Sequence, residues 1–108
     1  MALALSRVGG QVDLLKEVAG LFLDDFPRSL QQIHQALGTR DAETLAHHAH
    51  NLKGSVCNFG APEIVNLASE LERKARATDW SGADTLVAGL TAGLDQLRLE
   101  LEALRNLP

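Results

Sequence analysis

Leu86, Leu90, Leu94, Leu97, Leu101 and Leu104 return at intervals of three and four, which places them along one stripe of an α-helix. A stripe that apolar must be buried, and three earlier segments offer matching faces. Leu15, Val18, Phe22, Phe26, Leu30, Ile33 and Leu37 form the first. Leu45, Ala49, Leu52 and Val56 form the second, with Phe59 just beyond. Ile64, Leu67, Ala68, Leu71 and Ala75 form the third. Every connection between them is short enough to make neighbouring helices antiparallel. The expected fold is all-α: an up-down antiparallel four-helix bundle, with either an extra N-terminal helix or a kink in the first one.

The punctuation agrees with that reading. The first ten residues end in Gly9 and Gly10 and read as a loose lead-in. Pro27 removes a backbone donor inside the first segment and crowds the preceding turn, so a kink near Asp24 to Phe26, or two helices meeting there, is expected. Gly38 is placed to end that segment, and Thr39 or Asp41 to cap the next, with Glu43 favourable in its first turn. Gly60 is a natural stop, and Pro62 with Glu63 suits the first turn of a new helix. Ser81 with Asp84 three residues on resembles a capping arrangement for the last helix. Gly82, Gly89 and Gly93 weaken its first half by about 1 kcal/mol each if interior, which packing has to offset.

At 108 residues the chain is expected to form one domain, 1–108, with a core over about 10–105 and no need of metal or disulfide staples. Aromatic residues are only 4% against 45% hydrophobic, a balance that favours helix packing over a sheet. The net charge of −4, with scattered Lys and Arg, leaves no basic footprint for nucleic acid. Cys57, the single cysteine, cannot close an internal disulfide and reads as a small packed hydrophobe. No stretch is apolar enough for a signal peptide or a membrane span, so a cytoplasmic protein without membrane contact is expected.

The second segment carries the chemistry. With about 100° per residue and the core direction set by Leu45, Ala49, Leu52 and Val56, His50 lies about 140° from the core, His47 about 160°, Gly54 about 180° and His48 about 60°. His50 and His47 face outward and His48 sits at a boundary. The helix-surface neighbours of His50 are Ala46, His47, Lys53 and Gly54. The positions one turn before and after it therefore carry almost no side chain, and a cation stands at i+3. A mid-helix glycine costs roughly 0.8–1 kcal/mol against alanine, so close approach of another molecule is the natural reason for Gly54. Imidazole titrates near neutral pH and its unprotonated ring is a nucleophile, while Lys53 can offset anionic charge placed on the ring, as with a phosphoryl group. His47 and His50 at i, i+3 lack the further ligands a zinc site needs, so no metal site is expected. No Gly-rich phosphate cradle and no carboxylate cluster suited to Mg²⁺ is visible, so a phosphoryl donor and metal must come from a partner.

AHNLKGSVCNFGA, residues 49–61, closely resembles the signature of histidine-containing phosphotransfer domains of bacterial and fungal phosphorelays, roughly AHxLKGSxxxxGA. LFLDDFPRSLQQIHQAL is similar to the family's first helical region, and APEIVNLASELERKAR to the helix after the signature. The resemblance covers about 10–105. It implies that His50 is phosphorylated through its outer ring nitrogen, that Lys53 stabilises the phosphoryl group, and that Gly54 leaves room for the partner's active site. Ala46, His47, Gly54 and Cys57 are the expected partner-binding residues. Some family members carry a supporting glutamine on the following helix; here the matching position is Glu72, a departure from that pattern.

The resemblance implies a phosphorelay intermediate rather than an enzyme. A histidine kinase or a hybrid-kinase receiver would phosphorylate His50, and the group would pass to an aspartate of a response regulator whose receiver domain supplies Mg²⁺. A monomer suffices for this chemistry. Two alternatives remain at this level: the phosphorylated domain of a chemotaxis-type kinase, and a helical adaptor that binds without transferring phosphate.

Overall fold

The computed structural model describes residues 12–106 of the 108. The expected lead-in at 1–10 and any extra N-terminal helix there lie outside the described residues, as does the Leu15 side chain. Four helices account for the fold: α1 (Val12–Thr39), α2 (Ala42–Cys57), α3 (Pro62–Arg76) and α4 (Ala83–Arg105). Each packs on its chain neighbours, and α4 returns to α1 to close the ring. At 1.5 Å per residue the 28 residues of α1 reach roughly 42 Å, so this helix alone sets the 44 Å long axis. The up-down four-helix bundle read from the spacing is the fold observed, and no strand occurs among the described residues.

The core follows the expected stripes, with Val18, Leu30, Leu37, Leu67 and Leu86 only partly buried at its margin. Ile33, Leu45, Val56, Leu71, Leu90, Leu94 and Leu101 are almost completely buried, and Val87 joins them. The two-helix alternative at Pro27 is not what forms: α1 runs unbroken through the proline. A proline inside a helix costs about 3 kcal/mol. Phe22, Leu23 and Phe26 around it are all buried, each worth about 1.5–3 kcal/mol, so packing carries the helix across. Phe22 stacks on Phe26 at 5.2 Å and meets Phe59 of the α2–α3 turn edge-on at 5.3 Å.

Two boundary readings change. Gly38 lies inside the last turn of α1, and the left-handed residue that ends the helix is Arg40, at φ 56°. Asp41 N–H donates to Ala36 O at 2.9 Å and Arg40 N–H to Leu37 O, a Schellman closure without its usual glycine. Arg40 places its guanidinium 5.1 Å from the Trp80 ring, a contact between the two loops at this end of the bundle that helps hold an unfavourable backbone angle. Thr78, at φ 53°, closes α3 the same way. Ser81 does not cap α4: its backbone and hydroxyl both donate to Asp79, and the N-cap is Gly82 at φ 71°.

Gly93 has a packing role. A Cβ on Gly93 would stand 3.0 Å from Ile64 Cγ1, and one on Gly89 would stand 3.5 Å from Leu67 Cδ1. The bare backbone of Gly93 lets α3 lie close against α4, while at Gly89 a Cβ would make only an ordinary contact.

Candidate functional site

α2 is fixed at its start by Asp41, whose carboxylate accepts the Thr44 N–H at 3.2 Å and the Thr44 hydroxyl at 2.7 Å. Those two hydrogen bonds, the side-chain one first, hold the Asp41 carboxyl below its ordinary value. At the other end the chain turns through Gly60 at φ 62°. Between them Leu45, Ala49, Leu52 and Val56 are buried, and the opposite face is presented outward as the helical angles require. The His50 side chain is 58% exposed, while Lys53 is 29% exposed.

The ring does not stand alone. Glu72, on the face of α3 that meets α2, is buried with its side chain only 12% exposed. Its Oε2 lies 3.1 Å and its Oε1 3.2 Å from His50 Nδ1. Lys53 Nζ donates to Oε1 at 3.0 Å. Arg76 donates to Oε2 through Nε at 2.9 Å, and its Nη2 is 2.8 Å from the same oxygen. Burial pushes the Glu72 carboxyl up, but the hydrogen bonds from Lys53, Arg76 and His50 outweigh it and hold the group at about 2 against an ordinary 4.5. At neutral pH Glu72 is therefore an anion that can only accept. In the neutral ring, Nδ1 must then carry the proton and donate it, which leaves the Nε2 lone pair unprotonated. The tautomer follows from the partner's chemistry.

Other site residues fall as follows. Gly54 is exposed, and a Cβ there would meet nothing within 4 Å, so no contact inside the described structure requires a glycine. His47 is exposed and its Nε2 faces Asn51 Nδ2 at 3.2 Å. His48 is half-buried, and desolvation followed by the nearby His47 lowers its pKa. Cys57 is half-buried with a free thiol. Ala46 is a correction to the expected exposed face: it is only 4% exposed and belongs to the core, its short side chain lying on the side of α2 that shares a hollow with Ala75 of α3. No group of three His, Cys, Asp or Glu among the described residues is arranged to hold a metal ion. None of the described helices is long and apolar enough to cross a membrane.

Arg76 escaped the sequence reading. Its one available signal was the i, i+4 spacing from Glu72, which matters only once Glu72 is known to be turned inward. α1 and α2 also border an open groove of about 430 Å³ whose lining includes Leu21, Asp25, Arg28, Asn51 and Ser55.

The Hpt domain family model matches residues 17–107. The chain belongs to the Hpt domain family. Its fold is similar to the crystal structure of histidine-containing phosphotransfer protein B (HptB) from Pseudomonas aeruginosa PAO1. The TM-score is 0.87 at 27% identity, over 96% of this chain and 90% of that one. Among curated proteins, the chain is 29% identical over 75 residues to the signal transduction histidine-protein kinase BarA of Shigella flexneri, and equally to that of Escherichia coli (strain K12). Those matches take in 69% of this chain and 8% of BarA, so this Hpt chain spans a small part of those kinases. Histidine-containing phosphotransfer protein 2 of Arabidopsis thaliana is 26% identical over 101 residues, which is 91% of this chain and 65% of that protein.

Proposed function

We propose that this Hpt domain relays a phosphoryl group through His50 between a histidine kinase, or the receiver of a hybrid kinase, and an aspartate on a response regulator. The observation that carries the proposal is the pairing of Nδ1 with an ionised, buried carboxylate, which turns a lone pair on Nε2 outward beside a cation and an empty glycine face. In the accepting step the Nε2 lone pair attacks the phosphorus of a receiver aspartyl phosphate. The N–P bond forms, the acyl P–O bond breaks, and the aspartate leaves as a carboxylate. No proton moves, because Nε2 enters unprotonated and Nδ1 keeps its hydrogen. The product ring carries positive charge, which Glu72 pairs with, and the phosphoryl oxygens carry negative charge, which Lys53 can meet. The same steps in reverse deliver the group onward.

Nothing in this chemistry requires a metal on the chain itself; Mg²⁺ belongs with the receiver. The domain acts as a carrier and not as a kinase, and a cytoplasmic monomer without nucleic acid satisfies every step. Gly54 and the exposed Leu21, which is 63% exposed beside the groove, support docking of a receiver on the α1–α2 face. Incubation with a phosphorylated receiver and Mg²⁺ is expected to give an acid-labile, base-stable phosphoprotein, and His50→Gln to abolish it. Equal labelling of that variant would refute the assignment and favour a binding-only adaptor or another phosphorylated residue.

A further inference from the structure

We propose that Arg76 is a positioning residue for the transfer: it is the cation that keeps Glu72 on His50 Nδ1 while Lys53 leaves that carboxylate to meet the phosphoryl group. The inference rests on phosphorylation of His50 and concerns how its surroundings divide the work. Glu72 receives its two cations on different oxygens, Lys53 on Oε1 and Arg76 on Oε2, with His50 Nδ1 within 3.2 Å of both. The two cations are built differently. Lys53 comes from α2, one turn from His50, on a flexible stem ending in a compact ammonium with three rotatable donors. Arg76 comes from the same helix as Glu72, at i+4, and puts two nitrogens of a rigid planar group on one oxygen.

A phosphoryl group on Nε2 brings strong negative charge next to a carboxylate that is already ionised and poorly solvated. Lys53 is the cation on the same helix as His50 and can pivot to the new anion. If Glu72 depended on Lys53 alone, that movement would leave a buried carboxylate short of a cation beside a second anion, and it would pull away from Nδ1. Arg76 prevents this because its bonds do not compete with the phosphoryl group for Lys53. Glu72 then stays on Nδ1–H, the phosphorylated ring stays protonated there, and the onward transfer can expel a neutral imidazole. The Arg76 side chain is 62% exposed, so its role is not that of a core filler.

The test compares wild type with Arg76→Met, which keeps the stem and loses the charge, and Arg76→Lys. Ring ¹⁵N–¹H spectra of His50 are recorded before and after phosphorylation, alongside single-turnover transfer to a receiver. Before phosphorylation, Arg76→Met is expected to keep the Nδ1–H signature, since Lys53 still holds Glu72. After phosphorylation the signature is expected to weaken, and transfer to slow by about tenfold or more, the worth of a charge-assisted hydrogen bond. Arg76→Lys is expected to restore part of both. Wild-type spectra and rates in Arg76→Met would overturn the proposal, as would equal loss of the signature in both states, which would mark a merely structural role. A wild-type protein that takes no phosphate on His50 would instead refute the functional reading on which the proposal stands.

Discussion

Replacing Glu72 with glutamine keeps an oxygen that can accept from Nδ1 but removes the charge from between Lys53, Arg76 and His50. The folded carboxyl sits at about 2 against 4.5. At about 1.4 kcal/mol per unit, the ionised form in this setting contributes on the order of 3 kcal/mol to stability at neutral pH. Because the folded value is depressed, that contribution is fully present above about pH 4.5 and is lost as the pH falls towards 2, with about half gone near pH 3. Glutamine does not titrate. Urea unfolding of wild type and Glu72→Gln, repeated from pH 7 down to about pH 3, is expected to show wild type ahead at neutral pH and the gap closing by roughly 1–2 kcal/mol in acid. Two curves that fall in parallel would show that the three hydrogen bonds do not hold the carboxylate as the geometry implies.

The glycines make two further predictions. Gly54→Gln is expected to preserve or raise stability, by up to about 1 kcal/mol, because nothing lies within 4 Å of its Cβ, yet to slow phosphotransfer from a receiver. Unchanged transfer rates would remove the clearance argument. Gly89→Ala is expected to stabilise α4 by about 0.5–1 kcal/mol in urea unfolding, since its Cβ makes an ordinary contact with Leu67. Gly93→Ala is expected to gain less, or lose, because its Cβ would press on Ile64 at 3.0 Å, and an equal gain at both sites would contradict the packing described.

What the sequence made legible follows the physics of each feature. Apolar spacing alone placed the buried faces of all four helices, because a period of 3.6 is written into the residues themselves. Pro62 with Glu63, and Asp41, marked two helix starts because they act on residues next to them in the chain. The boundaries that moved depend on competing contacts, one distant in sequence and one local. Arg40 takes the left-handed position in the Schellman closure, with Trp80 against its guanidinium, while the more permissive Gly38 stays helical. At Ser81 it is Asp79 that organises the turn, leaving no hydroxyl for a cap. In the candidate site, His50 and Lys53 were visible in one short motif. Glu72 was visible only as a departure from a related pattern, and its place as the centre of three donors emerged with α3 laid against α2. Ala46 shows the limit of an angular argument: a residue near the boundary is buried or exposed according to its size and its neighbour, not its angle alone.

In the relay proposed for this domain, Glu72 fixes the proton on Nδ1 and so directs the phosphoryl group to Nε2 of His50. Ring-resolved ¹⁵N and ³¹P NMR of the phosphorylated protein reads this directly. The expected result is a single phosphohistidine at residue 50, bonded through Nε2, with Nδ1 still protonated. A phosphoryl group on Nδ1, or on any other residue, would refute this role of Glu72.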